Sequence, residues 1–314
     1  MTKYLVRRLI STVPVLLIVT LMVFSVLHLA PGDPAVIMLG EEYSEELAAQ
    51  VRAKLGLDQP IYIQYLRWAG SALRGDLGSS LRTRQPVLEA IGQRLPVSIQ
   101  LGALAILIAL TIAVPIGILS ALKRNSLLDI VGTGFALVGV AMPNFWLGIL
   151  LIFLFALILR WLPATGYVNP LEDPVGGIRS LLMPALTLGA AMSAVIMRQL
   201  RANLLAVLGE QYIITARAKG LHEQTVIRSH ALKNALIPVV TILGLQVRTI
   251  IGGTIIIEMI FALPGIGRLV ASSVFTRDYP MVQGVILVMA LAVIISNLIV
   301  DLAYAYLDPR IRYE

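Results

Sequence analysis

Six apolar runs of roughly membrane-spanning length recur along the chain, at residues 9–30, 97–122, 130–159, 181–205, 235–257 and 282–306. Each approaches or exceeds the roughly twenty residues that an α-helix needs to cross about 30 Å of hydrocarbon. The pattern predicts an all-α, polytopic membrane protein of about six transmembrane helices. Lys3, Arg7 and Arg8 precede the first run as they would precede a secretory signal. The run exceeds the roughly 7 to 15 residues of a signal core, and Pro31 follows where a small residue would be needed, so an uncleaved anchor is expected.

Two polar stretches interrupt this pattern with order of their own. The first, residues 31–96, reads as a small exterior subdomain. Ser44 followed by Glu45 and Glu46, with Leu47, Val51 and Leu55 at helical spacing, predicts a short amphipathic helix. Tyr62, Tyr65, Leu66 and Trp68 predict a second, whose aromatic rings pack a small core or sit at headgroup level. Gly-Asp-Leu-Gly at 75–78 reads as a turn. The second stretch, residues 207–234, is a compact basic loop with helix-forming ends. Tyr212, Thr215, Ala216, Arg217, Ala218, Lys219, Gly220 and Leu221 form its centre, with the alanines as small contacts and Gly220 as the turn. Topology alone needs no such pattern; docking onto a soluble partner does.

The division that follows is an N-terminal end with the first span (1–30), the exterior subdomain (31–96) and a core of five spans (97–314). Short flanks carrying Lys3, Arg7 and Arg8, then Lys123 and Arg124, then Arg217, Lys219, Arg228 and Lys233, then Arg310 and Arg312, fall on one side. By the excess of basic residues in cytoplasmic flanks, both termini are expected in the cytoplasm. Arg52, Arg67, Arg74, Arg82, Arg84 and Arg94 lie opposite, but most belong to a long segment, and long segments translocate largely regardless of charge.

Composition narrows the chemistry. With 58% hydrophobic and 14% charged residues and a mean hydropathy of +0.85, the chain is far more apolar than a soluble domain. The net charge of +7 resides at the ends of apolar runs, which excludes a nucleic-acid-binding face. There is no cysteine, hence no disulfide, cysteine nucleophile or thiolate metal site, and His28, His222 and His230 are too scattered for a metal centre. No Gly-x-x-x-x-Gly-Lys-Ser/Thr string exists to cradle ATP phosphates.

A series of short strings then carries a resemblance from end to end. They are HLAPGDP at 28–34, LGLDQP at 55–60, GDLGSS at 75–80, RLP at 94–96, PNFWLGILL at 143–151, WLPATGY at 161–167, MPALTLGAA at 183–191 and TARAKGL at 215–221. HALKNALIPVVT at 230–241, PGIGRL at 264–269, RDYP at 277–280 and LDPRIRY at 307–313 complete the series. In order and spacing the chain resembles the dipeptide/oligopeptide/nickel permease group of ATP-binding-cassette (ABC) importers. The resemblance implies the type I importer permease fold and a heterodimer with a second homologous permease around the pathway. It implies two cytoplasmic ATPase subunits holding ATP and Mg, a periplasmic or lipid-anchored substrate-binding protein, and a bacterial inner-membrane location. The loop around 215–221 then corresponds to the coupling helix that rests on an ATPase. One departure stands there: Ile214, Thr215 and Ala216 occupy the positions where the general importer pattern has Glu-Ala-Ala, six residues before its glycine.

Polar residues within the runs are the next clues, because a charge in hydrocarbon costs several kcal/mol and faces a pathway or a partner. Arg248 lies mid-run and either lines the pathway, attracting an anionic group on the cargo, or pairs with a neighbouring helix. Gln246 and Asn144 are further pathway residues, and Pro143 is expected to kink the third run. Glu258, Phe261, Pro264 and Gly265 open an exterior loop expected to meet the binding protein or close the outer mouth. The alternative function, a secondary carrier working without an ATPase, would need coupling-ion chemistry at the midplane; carboxylates there are scarce and no repeat is evident. An intramembrane enzyme is disfavoured too, since His28 and Asp301 have no evident catalytic partner.

Overall fold

The computed structural model of the chain describes residues 2–29, 34–39 and 44–307. Helices account for nearly all the regular structure. In order they are α1 (Thr2–Leu29), α2 (Pro34–Leu39), α3 (Glu45–Leu55), α4 (Ile61–Leu73), α5 (Val87–Leu122), α6 (Leu127–Ala141), α7 (Asn144–Leu151), α8 (Pro174–Leu208), α9 (Gln211–Ala218), α10 (Glu223–Thr225), α11 (Leu232–Ile260), α12 (Ile266–Phe275) and α13 (Tyr279–Leu307). Two π-helical segments, Ile152–Ile158 and Val226–Ala231, extend α7 and join α10 to α11.

Among the described residues, four helical stretches are individually long and apolar enough to cross a membrane: α5, α8, Glu223–Val247 and Tyr279–Val300. A fifth is the pair Leu127–Ala141 and Asn144–Ile158, bent by 105°. The described side chains of α1 cover the apolar stretch Ile10–Ser25 of that 28-residue helix. The third apolar run thus departs from the single kinked crossing that its hydropathy suggests. Met142 is extended (φ −80°, ψ 124°) ahead of Pro143, which disfavours helical geometry at the residue before it, and here the helix stops rather than kinks. The other helices outrun their apolar cores. At 36 residues α5 is about 54 Å long, more than the hydrocarbon needs, and its first turns are polar.

Contacts divide the chain into two compact units, Met1–Pro96 with Gly265–Ile295, and Val97–Pro264 with Ser296–Glu314. In the first, Ser44 caps α3 by accepting from the Leu47 amide at 3.2 Å, and Gly56 closes it in the left-handed region at φ 68°. The α4 aromatics pack on α1: Tyr65 meets Phe24 edge-on with ring centroids 5.5 Å apart, Trp68 lies 5.9 Å from the same ring, and Tyr65 Oη and Thr20 Oγ1 are 2.9 Å apart. The loop after α4 is pinned to the start of α13. Asp278, 5% exposed, accepts from Ser80 Oγ and, at 3.1 Å, from the Leu81 amide, while Ser80 Oγ accepts from the Thr83 amide at 3.0 Å. Asp278→Ala is expected to strand these donors and lower stability by about 1–3 kcal/mol, read as a lower melting temperature in detergent; an unchanged midpoint would contradict the latch.

The second unit packs α6, α7 and α11 against α8. Asp173 caps α8 by accepting from the Gly176 amide at 3.0 Å, and Pro174 takes the first position, where its missing N–H is harmless. Two apolar clusters fill this unit. One gathers Leu101, Leu181, Met183, Ile257 and Phe261; the other gathers Ile196, Leu200, Leu204, Ile213, Val226 and Ala235.

Candidate functional site

The basic loop is built on the second of these clusters. At the end of α8 the Gly209 amide donates to Ala206 O at 3.1 Å and the Glu210 amide to Val207 O at 3.0 Å, a tight turn that hands the chain straight to α9. Ile213 and Ala216 point inward, 0% and 8% exposed, among Leu200, Leu204, Val226 and Ala231. The spacing of three puts them on one helical face. The rest of α9 is open: Tyr212, Ile214, Thr215, Arg217 and Ala218 are exposed, as are Lys219 and Leu221 just beyond it. Gly220 then turns the chain at φ 76°, its amide donating to Arg217 O at 2.9 Å while the Leu221 amide reaches Ala216 O at 3.4 Å. Side-chain bonds brace the same segment. Arg217 grips Glu223 with two bonds of 2.6 and 3.1 Å, and Asn234 Nδ2 donates to Tyr212 Oη at 2.8 Å. Both members of the Arg217–Glu223 pair are substantially exposed, so the pair orients the turn more than it stabilises the fold.

The residues expected to line a pathway are not gathered into one site. Asn144 is the first residue of α7, half-buried just past the bend, and Gln246 is half-buried on α11. No hydrogen bond joins the two among the described residues. Arg248 belongs to α11, and its side chain lies outside the described residues.

The residues expected at an outer mouth turn inward. Glu258 is fully buried and accepts from Ser98 Oγ at 2.6 Å. Phe261 is 1% exposed, and its carbonyl accepts from the Gly166 amide at 3.0 Å. Pro264 is half-buried and Gly265 buried. Here α11 runs on to Ile260, which places Glu258 within a helix rather than at a loop edge. Beside them Tyr167 Oη donates to Gln100 Oε1 at 2.8 Å, and burial raises the Tyr167 phenol above its ordinary range.

One pair of charges was not suggested by the sequence. Arg201 of α8 clasps Asp129, in the first turn of α6, with Nε–Oδ1 and Nη2–Oδ2 contacts of 2.6 and 2.8 Å. Asp129 also accepts from the Asn125 amide at 3.0 Å.

Residues 113–313 match the family model of the binding-protein-dependent transport system inner membrane component, and residues 1–102 match the model of the N-terminal part of such components. The chain belongs to this family. It is 42% identical over 334 residues to the dipeptide transport system permease protein DppB of Alkalihalophilus pseudofirmus, and 41% identical over 338 residues to DppB of Escherichia coli K12, covering all of each chain. The fold has solved counterparts. A crystal structure of an amino acid ABC transporter with histidines aligns at TM-score 0.54 and 17% identity over 69% of this chain and 94% of that one. An inward-facing MetNI methionine ABC transporter structure aligns at TM-score 0.58 and 16% identity over 70% and 97%. The chain is thus a permease component of an ABC importer, a multi-pass protein of the inner membrane with the type I permease fold.

Proposed function

We propose that this permease forms, with a homologous sister subunit, the translocation pathway for di- or oligopeptides, and that α9 is its docking element for an ATPase subunit. The observation that carries the reading is the surface of α9. A helix seated by Ile213 and Ala216 leaves Tyr212, Ile214 and Leu221 41%, 50% and 42% exposed in a basic, braced loop. Apolar side chains left exposed on a polar loop mark a contact surface. Both termini and this loop are cytoplasmic, ATP and Mg are bound by two partner ATPases, and a periplasmic or lipid-anchored binding protein delivers cargo. The full-length similarity to dipeptide permeases supports the cargo class.

Reconstitution tests this. Purified chain in liposomes is assayed for peptide uptake and ATP hydrolysis alone, then with its sister permease, ATPases and binding protein. Uptake requiring the full set supports the proposal; uptake by this chain alone under an ion gradient establishes a secondary carrier instead.

Gly220 supplies a finer test. A Cβ there would meet no atom within 4 Å, so substitution acts through the backbone alone. At φ 76° a β-branched residue is strained by about 1–3 kcal/mol. Gly220→Val is expected to leave the chain folded and lower uptake per ATP hydrolysed, whereas Gly220→Asn, which tolerates this region, retains most coupling.

A further inference from the structure

We propose that the Asp129–Arg201 pair is a positioning strut that makes α6 follow α8, so that motion of the docking helix reaches the bend at Met142–Pro143. The inference rests on the docking role given above to α9. Three rungs join α6 to α8 in antiparallel register. At the first, Arg201 and Asp129 form the two-bond ion pair, with Asp129 only 5% and Arg201 26% exposed. At the second, a Cβ on Gly132 would lie 2.9 Å from Ser120 Oγ and 3.0 Å from Ile116 Cγ2 of α5, with Met197 Cε of α8 at 3.2 Å. At the third, a Cβ on Gly139 would lie 3.1 Å from Ala194 Cβ.

The rungs differ in kind. Small-residue seams bring helices close through van der Waals contact. A two-bond guanidinium–carboxylate contact has one geometry and fixes the register. Its Asp129 end is itself held: the Asn125 amide donates to Oδ2 at 3.0 Å from a left-handed turn residue (φ 62°), and Thr133 Oγ1 approaches Oδ1 at 3.4 Å. The Arg201 end lies two helical turns before the tight 209–210 turn that leads into α9. A displacement of α9 along α8 therefore reaches the first turn of α6, and through its remaining residues the extended Met142 and the apolar groove of Val138, Ala141, Phe145 and Trp146 at the bend.

The test uses the full reconstituted transporter, measuring binding-protein-stimulated ATP hydrolysis and uptake on the same vesicles. Asp129→Asn and Arg201→Gln are expected to assemble and hydrolyse ATP while uptake per ATP falls about tenfold, within the range that coupling between sites commonly spans. Arg201→Lys, which keeps the charge but not the fork, is expected to fall part-way. The exchange Asp129→Arg with Arg201→Asp is expected to recover most of the lost coupling. Wild-type uptake per ATP in the single variants would overturn the strut. So would failure of both singles and the exchange to assemble, which would make the pair a folding element only. If the wild-type set shows no ATP-driven uptake, the docking reading falls, and the strut with it.

Discussion

Gly189→Leu is expected to prevent this permease from reaching its folded state. Gly189 sits in the middle of α8, where a Cβ would lie 2.8 Å from the Ala105 carbonyl oxygen of α5 and 3.1 to 3.2 Å from the Ile108 side chain. The nearest obstacle is backbone, so no rotamer change relieves it. In a membrane the apolar effect gives helices little reason to associate, since lipid is as apolar as leucine, and close packing of small residues takes its place. α8 shows this along its length, with Gly189, Ala190, Ala191 and Ala194 in sequence and Ala105, Ala109 and Ala113 buried on α5. Forcing a leucine into the seam costs about the 1–3 kcal/mol typical of overpacking or more, and pushes α5 away from α8, the helix against which α6, α7 and α11 pack. Gel filtration in detergent should show loss of most monodisperse protein, with Gly189→Ala intermediate. A leucine variant with wild-type elution and melting would mean that α5 and α8 do not approach this closely.

Much of this architecture is written locally. Apolar runs coincide with the spans at α5, the α6–α7 pair, α8, α11 and α13, and Ser44 and Gly220 mark ends that the structure forms with those residues. What hydropathy missed follows from its physics. It measures lipid compatibility, so polar helical turns such as residues 87–96, which continue α5 beyond the hydrocarbon, read as part of the exterior segment. The same blindness hid Glu258: a carboxylate at the edge of an apolar run looks like the start of a surface segment, although α11 continues and Ser98 satisfies it. Asp129 and Arg201 give no sign of their pairing for a related reason. Each lies near the end of a run, where charges normally report topology, and their 72-residue separation leaves no sequence signal that they meet. Met142–Pro143 did carry a local signal, but a proline announces a break without its angle.

Ile214→Arg is expected to abolish productive association with the ATPase while leaving the permease folded. The general importer pattern has glutamate at the position of Ile214, so a motif comparison reads the position as a loss. The structure makes it a gain of apolar surface: Ile214 is 50% exposed on the side of α9 turned away from the buried Ile213 and Ala216. Covering a side chain of this size contributes about 1.5–3 kcal/mol when complete, and this half-exposed one supplies part of that. An unpaired charge buried in its place adds a penalty of about 2–5 kcal/mol, so affinity should fall by two orders of magnitude or more. Nothing inside the permease opposes the change, since the side chain already faces water and α9 is held by other residues. Co-purification with the ATPase and ATP-driven uptake should therefore both fail at unchanged melting temperature, while Ile214→Leu retains them. Wild-type association in the arginine variant would place the ATPase contact elsewhere than on this face of α9. A lowered melting temperature would mean that the isoleucine supports the fold, and the exposed apolar face would lose its claim to be an interface.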